Sequence, residues 1–437
     1  MKELYDYLLR FLLNCPDREG EILPHIAYSA NEEEFEHYAV VIVQSDFFTK
    51  NYGTVQSLPT LPLQEIEAMP FLYGETRIEM RNSTCIIHAD LLASAFVLLS
   101  GYEMWVQANV RDVHGRFAAK DAIAYKGNFL HRPIVDEYGA FLRTCLREAG
   151  IAVNEPEQTL TKLYLTHDID HAFQYRSLRG FFGAWWRTVR GERNEIFAAF
   201  RSYCGRVTAD PLCTLPFIFE KNNDLKQHTS VPVESVVFFK SPVQTAAHDK
   251  PLYRLHSRDM QFLFRECRTD GAKIGLHTSY RAGAEPELIA QEKAKLEQAT
   301  RQKIIYNRHH FLRITRIEDL QTLADCGICD DFTLGFADCA GFRLGTCRAV
   351  QWINPLSRSV SPLRLHPLTA MEESLTTARY MHLSENEAFD YLCMLIENAR
   401  KYGGEISLLW HNTSFAEGGE CNHKMLYSNV LNYLKNK

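Results

Sequence analysis

The stretch Leu165-Thr166-His167-Asp168-Ile169-Asp170-His171 decides how this chain is read. Ahead of it, Leu163-Tyr164-Leu165 has the character of a short apolar strand. Where apolar side chains would continue, two carboxylates and two imidazoles follow within five residues. A strand that stops in Asp-x-Asp presents oxygen atoms at the rim of a sheet, where open α/β sheets and barrels carry their sites. A solvated turn with an Asx cap would use the same residues. The choice between the two lies downstream.

From about residue 159 onward, strand-like and helix-like segments alternate, which predicts βα repeats and a largely parallel sheet. The strand candidates are 163–167, 235–240, 273–277, 304–307, 328–332 and 406–410, with helices expected over 286–299, 317–324 and 385–400. Four of these strands end in chemically loaded residues. The first ends in Asp168 and Asp170, the third in His277-Thr278-Ser279-Tyr280, the fourth in Arg308-His309-His310, and the last in Trp410-His411-Asn412. In a βα-repeat fold those ends converge on one face. Two imidazoles and a carboxylate there suit Zn²⁺ or a similar divalent ion. A further carboxylate and imidazole remain for acid–base work.

The order and character of these segments over residues 160–437 resemble the NodB-type polysaccharide deacetylases (carbohydrate esterase family 4), in a branch with Thr-His-Asp-x-Asp at its first motif. The resemblance implies a distorted (β/α) barrel, preceded by a smaller α/β companion domain, that removes acetyl groups from N-acetylated sugars with one divalent metal, expected to be Zn²⁺. It further implies Asp168 as general base and Asp170 as metal ligand, separated by Ile169. His277 matches the first histidine of the family's second motif. Arg281 stands where that motif's second histidine would be, and His310 is the preferred replacement, with His309 and His171 behind it. Arg308 matches the arginine that orients the base, Asp331 the acid that steadies that arginine, and His411 the general acid. Arg116, Tyr280, Arg343 and Trp410 are candidate substrate contacts.

At 437 residues the chain exceeds one typical domain. The expected division is 1–158 and 159–437, with a helical insertion over about 172–230. The first unit begins with an amphipathic helix, has a buried strand at 39–43 and a buried helix at 90–100, and carries polar loops at 111–117 and 131–136. The insertion is rich in Arg and aromatics, among them Phe181, Phe182, Trp185, Trp186, Arg187, Arg190 and Arg193. A membrane-surface helix has that composition, but packing on the main sheet is the expected outcome, because aromatic clusters at helical spacing usually face a core.

A formal charge of −6 gives no electrostatic case for nucleic acid. No apolar run approaches the roughly 20 residues of a spanning helix, so no transmembrane segment is expected. Twelve scattered cysteines and the absence of a signal-peptide pattern point to the cytoplasm. Cys326, Cys329, Cys339 and Cys347 are spaced too loosely for a structural zinc site and are expected as buried thiols. The resemblance implies a carbohydrate partner; the alternatives are a non-catalytic sugar-binding protein, with Arg281 inside a metal-free cleft, or hydrolysis of another C–N bond.

Overall fold

The computed structural model describes residues 1–16, 19–191, 195–416 and 423–435. Arg193 lies outside them. The first unit is built on β1 (Ile26–Ser29), β2 (Val40–Val43), the small hairpin β3 (Gln64–Ile66) and β4 (Met69–Phe71), and the pair β5 (Gly74–Arg81) and β6 (Thr84–Ala89). Its four-stranded sheet has the order β1-β2-β6-β5, with only β5 antiparallel. Helix Leu91–Ser100 is buried along its whole length, as an all-round apolar helix must be. It packs on the second sheet at the strand Val350–Asn354 and thereby ties the two units together. Asp90 caps it, accepting from the Ala93 amide at 2.9 Å.

The second sheet contains β7 (Lys162–Ile169), β8 (Val233–Lys240), β9 (Lys273–Thr278), β10 (Tyr306–His309), β11 (Asp330–Asp331), β12 (Val350–Asn354), β13 (Ser359–Leu365), β14 (Ala370–Met371) and β15 (Glu405–His411). Its order is β12-β13-β11-β10-β9-β8-β7-β15-β14, parallel throughout except for the edge strand β12. Period-two alternation sorts the residues cleanly. Leu163, Leu165, Ile169, Val237, Phe239, Leu276, Leu408 and Trp410 join the large core under the helices. Tyr164, Val236, Phe238 and Phe332 form a separate cluster on the inner face.

The sheet is strongly curved. Tyr164 on β7 and Phe332 just past β11 are four strands apart, about 19 Å in a flat sheet, yet their ring centroids are 5.1 Å apart. The closed barrel implied by the resemblance is nevertheless not formed, because β12 and β14 are free edges of an open ladder. The gap is spanned instead by residues 366–369, whose backbone bonds to both sides: His366 to Asp331 at 2.8 Å, Thr369 to Ser407 at 2.9 Å.

Two further expectations are corrected here. The insertion is helical over Leu178–Val189, Ile196–Cys204 and Leu215–His228, but Phe182, Trp185 and Trp186 face outward, so this aromatic stripe is not core. Of the four cysteines expected as buried thiols, Cys347 is buried, Cys326 and Cys339 are partly so, and Cys329 is exposed.

Candidate metal and acid–base centre

Strand parity builds the site. Thr166 and Asp168 on β7 and Asp170 just past its end share the inner face, while His167 turns outward to lie near Asn222 and Tyr427. The Asp-x-Asp spacing is therefore what puts two carboxylates on one side. Lys240, His277 and Arg308 are register partners on β8, β9 and β10 and form a row across the same face.

Asp170, His277 and His310 each offer one donor atom, and those atoms all lie within 4.8 Å of one another. Asp170 Oδ1 is 3.2 Å from His277 Nε2 and 3.3 Å from His310 Nε2. Among the described residues this is the one His/Cys/Asp/Glu group so arranged. The Nδ1 of His277 lies 2.9 Å from the Arg308 carbonyl, and that of His310 lies 3.5 Å from Asp249 Oδ1. Outer partners of this kind fix a ligand histidine's tautomer and aim its other nitrogen inward. Asp170 Oδ1 and His277 Nε2 are buried without a hydrogen bond, a deficit a cation would satisfy. The donor set fits a divalent ion with open coordination positions.

Burial works against charge at this centre, yet His310 and His277 hold the Asp170 carboxyl well below the usual range. His310 is raised in turn by Asp170, against burial. Lys240 is lowered, chiefly by burial.

Arg308 is fully buried. Its Nη1 donates to Asp168 Oδ1 at 3.1 Å and Thr166 Oγ1 at 2.7 Å, its Nε donates to the Phe332 carbonyl at 3.1 Å, and its guanidinium lies 4.7 Å above the Phe238 ring. Asp331 does not hydrogen-bond to it. That carboxylate accepts from Asn307 at 2.8 Å and from Thr333, and burial raises its pKa. The Phe332 carbonyl braces the arginine by a direct hydrogen bond, and Asp331 acts on it through its charge alone.

His411 ends β15. Its Nδ1 is 2.9 Å from Glu372 Oε1, which also accepts from the His411 amide and the Ser414 hydroxyl, while its Nε2 faces Asp170 at 3.8 Å. Burial would lower this imidazole, but Glu372 carries it well above 6.5.

A cleft of ≈160 Å³ opens over Asp168, Asp170 and His411, and Arg116, Phe311 and Tyr380 help to wall it. Arg116 thus brings the first unit to the site. It is paired with Asp112 at 2.8 Å and donates to the Phe311 carbonyl at 3.1 Å. Phe311 and Leu312, directly after His310, both have left-handed φ (63° and 52°), the kind of strain that persists only where surroundings impose it.

The other candidate substrate contacts lie elsewhere. Trp410 is buried against Tyr427, on the face of β15 opposite His411. Arg343 donates to the Gly335 carbonyl and packs over Phe336, and burial lowers it to about 10. Tyr280 stacks between His248 and Arg313. Arg281 pairs with Glu285 and does not line the cleft. Of the reserve histidines, His309 is held by Thr333 and Asn307 and is pushed down to about 3, chiefly by burial, while His171 is exposed. Three residues go beyond the sequence reading. Lys240 had a signal, a lysine ending an apolar strand. Asp249 and Glu372 had none, since both reach the site from segments that look like polar connections.

Residues 2–150 match DUF7033, a family of unknown function. No curated protein matches the sequence. Among solved structures, the chain is similar to a protein from Mycobacterium smegmatis provisionally described as a polysaccharide deacetylase, with 14% identity, a TM-score of 0.38, and coverage of 65% of this chain and 86% of that one. It is also similar to a mutant of a CE4-family pseudoenzyme with restored enzymatic activity, with 11% identity, a TM-score of 0.31, and coverage of 65% and 66%.

Proposed function

We propose that this protein is a metal-dependent amidohydrolase that removes an acetyl group from an N-acetylated sugar or glycan precursor. One observation carries it: the convergence of Asp170, His277 and His310 beside an Arg308-bound carboxylate and a Glu372-bound imidazole. Asp170, His277 and His310 hold the divalent ion, which supplies electrophilic activation of the acetyl carbonyl and of the attacking water. Asp168 takes the water's proton, and Arg308 holds that carboxylate in place through its hydrogen bond. His411, kept protonated by Glu372, gives its proton to the departing sugar nitrogen, which is too basic to leave as an anion. The pairing of Arg281 with Glu285 outside the cleft favours this over a metal-free binding site.

The test combines elemental analysis with acetate release from N-acetylglucosamine oligosaccharides. One divalent ion per chain and metal-dependent release are expected. Asp170→Ala should lose the ion; Asp168→Asn should keep it and lose activity by about 10²–10⁴-fold. A protein that takes up no ion from zinc, cobalt or nickel solutions would overturn the proposal.

A further inference from the structure

Helix Leu178–Val189 and helix Ile196–Cys204 pack together through a small core of Tyr175, Phe181, Ala184 and Ala199. Small residues face inward and large ones outward. On the first helix Leu178, Phe182, Trp185, Trp186 and Val189 fall at i, i+4, i+7, i+8 and i+11, one apolar stripe, and all are between 48% and 62% exposed. On the second, Phe197 and Phe200 are 77% and 57% exposed. Isolated apolar residues on a surface need no explanation, but a contiguous aromatic stripe does. The charge around it is one-sided. Residues 176–206 carry seven arginines against two glutamates in a chain whose formal charge is −6, although Arg176 pairs with Asp259 and Arg187 with Glu195. Arg179 and Arg201 are exposed, and Arg190 lies 5.0 Å over the Trp186 ring.

We propose that this helical pair docks the protein on the surface of an anionic lipid bilayer. Tryptophan and phenylalanine settle at the headgroup boundary, and arginines beside them meet lipid phosphates. No helix of the described residues is long and apolar enough to cross a membrane, so the pair lies along the surface. The cationic excess of this segment favours an anionic lipid surface over a two-fold dimer through the same face, in which each copy would bring a like-charged patch. Arg179 and Arg187 also line a cleft of ≈1240 Å³ that reaches His171 and Glu373, with the half-exposed Leu252 in another part of its wall. Docking through the pair holds this cleft beside the lipid headgroups, whatever chemistry the site performs.

The experiment is co-sedimentation of the full chain with vesicles of phosphatidylcholine alone, or with about one third phosphatidylglycerol. Binding to the anionic vesicles, a blue shift of tryptophan emission and loss of binding in high salt are expected. Trp185→Ser with Phe197→Ser should weaken binding about tenfold or more, and Arg190→Gln and Arg201→Gln about fivefold each. Circular dichroism should be unchanged for all, since none of these side chains is buried. Failure to bind anionic vesicles would overturn the proposal, as would equal, salt-insensitive binding to both lipids. So would a dimeric wild type that the Trp185→Ser/Phe197→Ser variant turns monomeric, which would assign the stripe to a second copy.

Discussion

Glu372 is the residue on which the acid–base assignment turns. A fully buried carboxylate is costly to ionise, but the His411 imidazole, the Ser414 hydroxyl and the His411 amide keep its pKa below the ordinary 4.5. Glu372→Gln keeps the shape and removes the charge that raises His411. With His411 as the proton donor, steady-state kinetics should show kcat lowered by about 10–100-fold with bound metal unchanged. Loss of the ion instead would mean that Glu372 supports the metal centre and not an acid. A second residue-level contrast separates Asp170 from Asp249. Asp249→Asn leaves His310 in place but without its Nδ1 carboxylate partner, so metal affinity should fall about 10–100-fold, as seen by competition with a chelator.

At the scale of elements, the site depends on how closely β8, β9 and β10 approach on the inner face. A Cβ at Gly275 would meet the Phe238 ring at 2.4 Å and the Tyr306 Cβ at 3.2 Å. Phe238 is the ring beneath Arg308, so a side chain at 275 moves the platform on which the arginine rests. Gly275→Ala should destabilise the fold by about 1–3 kcal/mol in urea titrations and lower activity more than stability alone explains. Unchanged activity in folded Gly275→Ala would show that the platform does not position Arg308. The same elements explain what could be read beforehand. The strands over 163–167, 235–240, 273–277 and 406–410 were legible because buried parallel strands are apolar runs that stop abruptly in polar rim residues. β13 was not, since Pro362 breaks its pattern and a polar residue, Ser361, stands at one of its buried positions, while β14 is two residues long. The candidate triad Asp170, His277 and His310 could be named because strand ends locate side chains and the family resemblance supplied their roles. Trp410 failed on strand parity: it is one residue from His411 and faces the other way. The aromatic stripe over 178–189 was misread because spacing identifies a face without saying what the face meets.

At the scale of the whole molecule, an open sheet has been curved until its two flanks nearly meet, and the seam is held by His366. Its Nε2 is 2.9 Å from Asp330 on β11 and its Nδ1 is 2.7 Å from Glu405 on β15, while its ring stacks on Phe332 at 4.5 Å. Arg364 completes the cluster, 2.7 Å from Asp330. Burial would lower His366, but Asp330 and Glu405 raise it above 6.5 in the folded chain. A raised imidazole binds its proton more tightly when folded, so its contribution is fully present below the unfolded value near 6.5 and is lost as pH rises through the higher folded value. Asp330, depressed by its partners, acts in the opposite sense: its contribution is present above about 3.8 and is lost only as pH falls through its folded value. His366→Gln removes the titrating ring and its charge from the seam. The variant should be less stable than wild type by about 3 kcal/mol near pH 6, the scale for breaking a buried pair. The gap should narrow as the pH is raised to about 9, because only the wild type has a proton to lose there. Urea denaturation of both proteins at the two pH values reads this directly. An equal gap at both would mean that His366 is neutral in the fold and that the flanks are joined by the backbone of residues 366–369 without the charge cluster.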